Sequence, residues 1–365
     1  MPKKILIVAF GFYPESHGVA QAAYRQALGL SEWGYSVIVI TRTQSSEELP
    51  FEVIILHRKS DYQTYLQTTD AAIIFLHGWH NWASDWALPV LPVNAKTILV
   101  SHGTNHNARF GGWRGWAWWL RKRFQAFRFP PKLKKFDHFV FLSDTPEVQR
   151  MSDVVLAKKW GLNRYSVIPN GAHPALSEPI LGNFRERIGV DSAPVLLCVS
   201  NFQLTKGQGD LVDWFLKLNL SNAVLVLIGS EFNAFSGQLK KRAGHKLDKR
   251  IFLFEKLSVS ERHAAYKAAD VFVSATYTEV QPLMLLDAMA AGVPYLCRKV
   301  GVVPELGGGL CFKDEPDFAE KLQWLLAHPS ERKKWGEAGK AAVKEKYNWK
   351  RNAELYHQLI QQLLS

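Results

Sequence analysis

Cysteine is scarce in this chain. There are three, Cys198, Cys297 and Cys311, an odd number without metal-ligand spacing. That argues against a disulfide framework and fits buried thiols in a reducing compartment. Long apolar runs are missing too. No stretch of about 18 apolar residues occurs, so no spanning helix is expected. The run Ile5–Phe10 is too short for the core of a signal peptide and reads as a first buried strand. The protein is therefore expected to be made and kept in the cytoplasm. Acidic residues are outnumbered, 33 against 45 basic, for a formal charge of +12. Such a balance favours anionic partners: nucleic acid, an anionic membrane face or a phosphate-bearing substrate.

What is present is an ordinary globular balance, 47% hydrophobic and 21% charged over 365 residues. One core stops growing near roughly 250–300 residues, so two domains are expected. The first half offers ILIVAF, YSVIVIT, FEVIIL, AAIIFLH, KTILVSHG and HFVFLS. The second offers VLLCVSN, AVLVLIGS, RIFLFE, VFVSAT and PYLCRK. These runs are short and nearly continuously apolar, as strands buried on both faces should be. Helical segments fall between them, at residues 19–33, 209–219, 258–269 and 282–291. The alternation predicts an α/β chain with two doubly wound parallel-sheet domains. The Pro/Gly cluster VIPNGAHPALSEP suggests the boundary. The expected division is 1–172, 173–348 and a last helix within 349–365, packing back toward the first domain through Leu355, Leu359 and Leu363.

Open α/β sheets bind ligands outside the carboxyl ends of their strands. The richest such place follows VFVSAT. Glu279 lies on the loop and Pro282 suits the first position of a helix. Gly292 and Pro294 then stop that helix. The backbone N–H groups of Leu283 and Met284 are left for an anion. Asp287 sits one turn on, leaning back toward the helix start. A helix cap plus a surface carboxylate is the plain alternative.

This segment resembles the E-x7-E motif of retaining glycosyltransferases of family GT4, which have the GT-B fold. Other segments agree in order: FYPESHGVAQAAYRQALGLSEWGYSVIVIT with the glycine loop and its helix, VIPNGA with the inter-domain motif, VSNFQLTKG with the phosphate-binding lysine segment, and KVGVVPEL with the stretch that follows. The resemblance spans residues 1 to about 350. It implies two Rossmann-like domains facing a central cleft, the first for the acceptor and the second for the nucleotide sugar.

It also implies roles. Glu279 would hold the transferred sugar, and Lys206 would pair with the donor diphosphate. His102 would stand near the sugar, with Glu279 and Lys206 as the catalytic group. Gly18, Asn201, Leu283, Met284 and Asp287 would complete donor binding. Two positions depart from the family. Asp287 stands where a Glu is usual, and Asn201 where an Arg is frequent, which removes a fixed cation; Arg298 or Lys299 could compensate. Lys206 as a surface lysine, Gly18 as a turn residue and His102 as a structural hydrogen-bonder are the plain readings. The implied donor is a UDP- or GDP-linked sugar, with no cofactor and no metal. The acceptor would be a glycan or lipid-linked hydroxyl in cell-surface polysaccharide or lipopolysaccharide synthesis. A weakened relative that binds without transfer, or a membrane-surface binding module, are the alternatives.

The segment 110–129 combines Trp and Phe with Arg and Lys and contains no acidic residue. As a helix it would put Trp113, Trp116, Leu120, Phe124 and Phe127 on one face, with Arg121 beside them. That suits an anionic bilayer surface and a peripheral position on the inner face of the membrane. A core-facing helix is the plain alternative, and a nucleic-acid contact is the weaker one.

Overall fold

The structure is a computed structural model that describes residues 2–15, 17–44, 47–103, 116–117, 120, 130–144, 153–177, 182–220 and 222–365. The chain divides into two compact units. Unit 1 comprises Met1–Asn170 with Trp349–Ser365, and unit 2 comprises Gly171–Asn348.

Unit 1 is built on seven parallel strands: β1 (Lys4–Ala9), β2 (Ser36–Thr41), β3 (Glu52–Ile55), β4 (Ile73–His77), β5 (Lys96–Val100), β6 (His138–Phe141) and β7 (Tyr165–Val167). Their order is β3-β2-β1-β4-β5-β6-β7. The direction of winding reverses between β1 and β4, whose pairing runs from Ile5 opposite Ile73 to Ala9 opposite His77. Such a reversal leaves a crevice at the strand ends. The helices are α1 (Gly18–Glu32), α2 (Lys59–Thr68), α3 (Trp82–Ala87), α4 (Pro130–Leu133) and α5 (Asp153–Lys159). α1 starts where the His17 ring accepts from the Ala20 N–H, and it ends before Gly34 at φ 82°. Strand side chains are buried on both faces, in one cluster around Leu76, Phe136 and Phe141 and another around Ile7, Phe75 and Tyr356.

The C-terminal helix, Trp349–Leu364, belongs to this unit. Its buried line runs through Ala353, Tyr356, Leu359 and Ile360, so the expected Leu355–Leu359–Leu363 stripe is rotated. Leu355 and Leu363 sit at the margin of the core. Tyr356 takes the centre by meeting Phe75 edge-on, with ring centres 5.4 Å apart. Asn352 is 3% exposed and donates to the Pro169 carbonyl at 2.7 Å, which holds the helix at the end of the unit's own chain.

Unit 2 repeats the plan with six parallel strands: β8 (Val195–Val199), β9 (Val224–Gly229), β10 (Ile251–Glu255), β11 (Val271–Ser274), β12 (Tyr295–Arg298) and β13 (Gly309–Phe312), in the order β10-β9-β8-β11-β12-β13. The reversal falls between β8 and β11. Helices α6 (Phe184–Arg187), α7 (Gln208–Leu218), α8 (Ala234–Ala243), α9 (Val259–Ala268), α10 (Leu283–Ala290), α11 (Glu315–Ala327) and α12 (Pro329–Glu345) connect and follow the strands. α9 has a full capping box, with Ser258 and Glu261 each satisfying the other's backbone N–H. The edge strands β7 and β13 escape a reading by pattern. They are three and four residues long and half-buried, so neither shows a long apolar run.

Among the described residues, no helix is long and apolar enough to cross a membrane. Cys198 and Cys297 are buried and Cys311 half-buried, all as free thiols.

Candidate active site

At the switch point of unit 2, two loops are joined through one carbonyl. β8 ends at Val199, and the chain makes a short 3-10 turn over Leu204–Lys206 before α7. β11 ends at Ser274 and leads into the loop 275–282. The Thr205 carbonyl accepts from the Tyr277 N–H at 2.9 Å, and the Thr276 hydroxyl lies 3.3 Å from it. Gly207 allows the approach. Its φ is +66°, and a β-carbon there would come within 2.0 Å of the Ala275 oxygen. The result is that Lys206 Nζ stands 2.7 Å from Glu279 Oε2, with the two side chains 22% and 20% exposed. Residues 73 apart in sequence thus form one ion pair at the end of the sheet.

The third wall is the start of α10. Pro282 is the cap residue rather than the first helical one, so the expected start moves by one residue to Leu283. The cause is visible in the backbone. Pro282 is extended, with ψ 115°, while its carbonyl already accepts from Leu285 and Leu286. No side chain caps this end. The first N–H groups of the helix, from Leu283 and Met284, therefore remain for a ligand oxygen. Gly301 closes the back of the loop. At φ +51° it passes so close that a β-carbon would meet the Glu279 carbonyl at 2.2 Å. Together these groups line a depression of about 340 Å³, open to solvent, whose walls include Ser200, Lys206, Thr276, Glu279, Met284 and Cys297.

Two expectations about this site change. Arg298 does not stand in for a missing phosphate ligand. Its guanidinium donates to the Ala275 carbonyl at 3.1 Å and to Asp210 at 2.9 Å, and it lies over the Tyr277 ring at 4.6 Å. Tyr277 donates to the same Asp210 oxygen at 2.5 Å. Arg298 thus braces the Glu279 loop. This Asp210–Tyr277–Arg298 brace, and the buried Gln208, were missed in the sequence. Gln208 is 1% exposed and donates to Ser200 Oγ at 2.9 Å and to the Asn201 carbonyl at 3.1 Å. The available signal was Asp210 in the first turn of α7, an acid placed where a loop cation could reach it. Asp287, for its part, accepts from the His173 backbone N–H at 2.8 Å, so one of its oxygens is engaged by the chain itself. Asn201 is exposed, as is Lys299.

Unit 1 places a different chemistry at its own switch point. His102 follows β5, and its Nε2 lies 2.9 Å from His77 Nδ1 at the end of β4. His77 Nε2 lies 2.6 Å from Gln26 Oε1 on α1. Burial pushes both imidazoles down, His77 well below the ordinary range and His102 to about 4 with a further contribution from His17. Gly18 is the exposed first residue of α1. Beside it, His17 Nε2 sits 2.7 Å from Glu15, whose other oxygen accepts from Thr43. Of the aromatic basic segment, Trp116 and Leu120 are described, in helical conformation and 65% and 42% exposed. Trp113, Arg121, Phe124 and Phe127 lie outside the described residues. Among the described residues, no group of three or more His, Cys, Asp or Glu is placed to hold a metal ion.

The family model for glycosyl transferases group 1 matches residues 183–342, nearly all of unit 2. An N-acetyl-alpha-D-glucosaminyl L-malate synthase of Bacillus anthracis is 30% identical over 183 residues, 48% of this chain and 47% of that protein. The chain spans about half the length of the curated relatives it matches. Among solved structures, sucrose-phosphate synthase from Thermosynechococcus elongatus superposes with a TM-score of 0.81 at 18% identity, covering 99% of each chain. HepE of Anabaena in complex with UDP and glucose gives 0.77 at 13% identity, covering 99% of this chain and 100% of that one. These likenesses show the fold, and the family match falls on the unit that carries Lys206 and Glu279. The chain has the GT-B fold, and its second unit matches the family model of the group 1 glycosyl transferases.

Proposed function

We propose that this chain moves a sugar from a nucleoside diphosphate to an acceptor hydroxyl, with retention at the anomeric carbon. The observation that carries the reading is the Lys206–Glu279 pair, 2.7 Å apart beside the uncapped start of α10. Such a site offers what glycosyl transfer from a diphosphate demands. Negative charge grows on the leaving phosphate, where Lys206 and the N–H groups of Leu283 and Met284 stabilise it. Positive charge grows at the anomeric carbon, where the Glu279 carboxylate stands. The two side chains neutralise each other across 2.7 Å. A bound donor would take Lys206 to its phosphates and leave Glu279 to the sugar.

The remaining assignments belong to the same proposal. Asp287 serves the ribose, and Asn201 lines the phosphate side. On unit 1, Gly18 and His102 are assigned to the sugar-bearing substrate. The donor is a UDP- or GDP-linked hexose, in keeping with a structural neighbour solved with UDP and glucose. The acceptor is a glycan or lipid-linked hydroxyl of cell-surface polysaccharide or lipopolysaccharide synthesis. No cofactor or metal takes part. The exposed Trp116 and Leu120 support a peripheral position on the inner face of an anionic membrane, through the segment that also holds Trp113, Arg121, Phe124 and Phe127.

Thermal shift with UDP, GDP and ADP, followed by transfer assays with the matching donor sugars, tests the reading. Stabilisation by one nucleoside diphosphate and transfer that requires Lys206 are expected. No response to any of the three would defeat it. A second reading, binding without transfer, is favoured by Asn201 and by the engagement of Asp287 with His173. Stabilisation without turnover would select it.

A further inference from the structure

Gln26, His77 and His102 form a buried line that ends at the carboxyl edge of the unit 1 sheet. Gln26 and His77 are each 1% exposed. His77 Nε2 stands 2.6 Å from Gln26 Oε1, and His77 Nδ1 stands 2.9 Å from His102 Nε2. The two imidazole planes are 21° apart with centres at 5.1 Å. Buried polar groups are costly unless paired, so the line needs a reason. The second atom of the Gln26 amide, Nε2, is buried and has no partner. An apolar side chain would pack there without that cost. The amide faces His77 through its oxygen.

With the Gln26 oxygen toward His77, the proton positions follow by elimination. An amide oxygen only accepts, so His77 Nε2 carries the proton and donates to it. Burial keeps His77 neutral, so its Nδ1 is a bare acceptor. His102 Nε2 must then carry a proton and donate to His77. A neutral His102 is left with a bare Nδ1, which makes no hydrogen bond with the described residues.

We propose that Gln26 and His77 are positioning residues that hold His102 in its Nε2–H tautomer, so that its Nδ1 presents a hydrogen-bond acceptor to the substrate. The consequence concerns substrate class and rests on the function proposed above. An acceptor nitrogen takes a sugar hydroxyl or amine. It repels a carboxylate, which has no proton to give. With the line reversed, His102 would present an N–H instead and the preference would invert.

The test reads the protons directly in the full-length protein with 15N-labelled histidine, without any nucleotide sugar. Expected are a slowly exchanging imidazole proton attached to His102 Nε2 and a coupling across that hydrogen bond to His77 Nδ1. A proton found on His77 Nδ1 instead, or no coupling, overturns the proposal. His77→Phe should abolish the protected His102 signal while leaving a folded thermal transition. If His77→Phe does not fold, Gln26→Leu serves. It frees His77 to reverse, so the Nδ1–H form of His102, absent in the parent protein, should become visible. An unchanged His102 in a folded Gln26→Leu protein overturns the role of Gln26. The outcomes separate cleanly from the function itself. Intact proton positions without sugar transfer would sink the function and leave the line standing, whereas transfer with reversed protons would do the opposite.

Discussion

The two units put opposite chemistries at the same topological place. Both sheets reverse direction at a central strand pair, β1 with β4 and β8 with β11. In unit 2 that place holds a Lys–Glu ion pair and an uncapped helix start, all partly open to water. In unit 1 it holds neutral imidazoles joined to a buried amide. The sheet topology therefore dictates where a site forms and says nothing of its charge. Charge comes from a few residues just beyond the strands. A site that must stabilise phosphate needs fixed cations and free N–H groups. A site that must sort hydroxyls does better with uncharged, oriented rings.

The sharpest way to break this contrast is at the ion pair. Lys206→Ala and Glu279→Ala should each lower turnover by about 10²–10³-fold, the range for removing one oriented charge-stabilising group. Steady-state rates of folded variants check it, and near-parent turnover in either removes that residue from the chemistry. Next in size is the turn that joins the loops. Gly207→Ala forces a β-carbon to within 2.0 Å of the Ala275 oxygen at φ +66°. It should cost on the order of 1–3 kcal/mol and lower the melting temperature of unit 2. Hydrogen exchange should loosen around residues 204–207 and 275–279 while unit 1 stays protected.

Mild acid should single out unit 1. His102 titrates near 4 when folded and from an ordinary value of 6.5 when unfolded. The unfolded state therefore binds more protons between those values. The stabilisation is present above pH 6.5 and is lost as pH falls toward 4. His102 alone accounts for on the order of 1 kcal/mol by pH 5.5, and His77 acts in the same direction. Exchange protection of β1, β4 and β5 should fall from pH 7 to 5.5, and His77→Phe should reduce the slope. Equal loss in both units would erase this part of the contrast. The smallest effect concerns Asp287→Asn, which keeps an acceptor for the His173 N–H and gives up the charge. About 1 kcal/mol of stability is expected to go, measured by urea unfolding of unit 2.

The fold was legible because both sheets are buried on two faces, which writes each central strand as a continuous apolar run. Edge strands β7 and β13 lack that protection and lack the run. Lys206 and Glu279 were legible as the ends of strand-loop segments with a family resemblance. Their contact was not, because it depends on a carbonyl, and every residue has one. Arg298 was misread for a related reason. Its sequence neighbours show an exposed Lys299 and a strand end, whereas its partners, Asp210 and Ala275, come from 88 and 23 residues away. The histidine line was half visible. His102 stood out after its strand, but Gln26 lies on a helix face among alanines and gives no pattern of its own.

The Thr205 carbonyl sets what kinds of sequence change the site can survive. Replacing residue 205 leaves the carbonyl in place, so the tie to the Tyr277 N–H persists through point substitutions. Inserting or deleting a single residue between 200 and 206, or between 275 and 279, slides one loop along the other and parts Lys206 from Glu279. Descendants of this chain should accordingly vary in the identity of these loop residues while keeping both loop lengths fixed, and grafts that alter donor choice should exchange the two loops together.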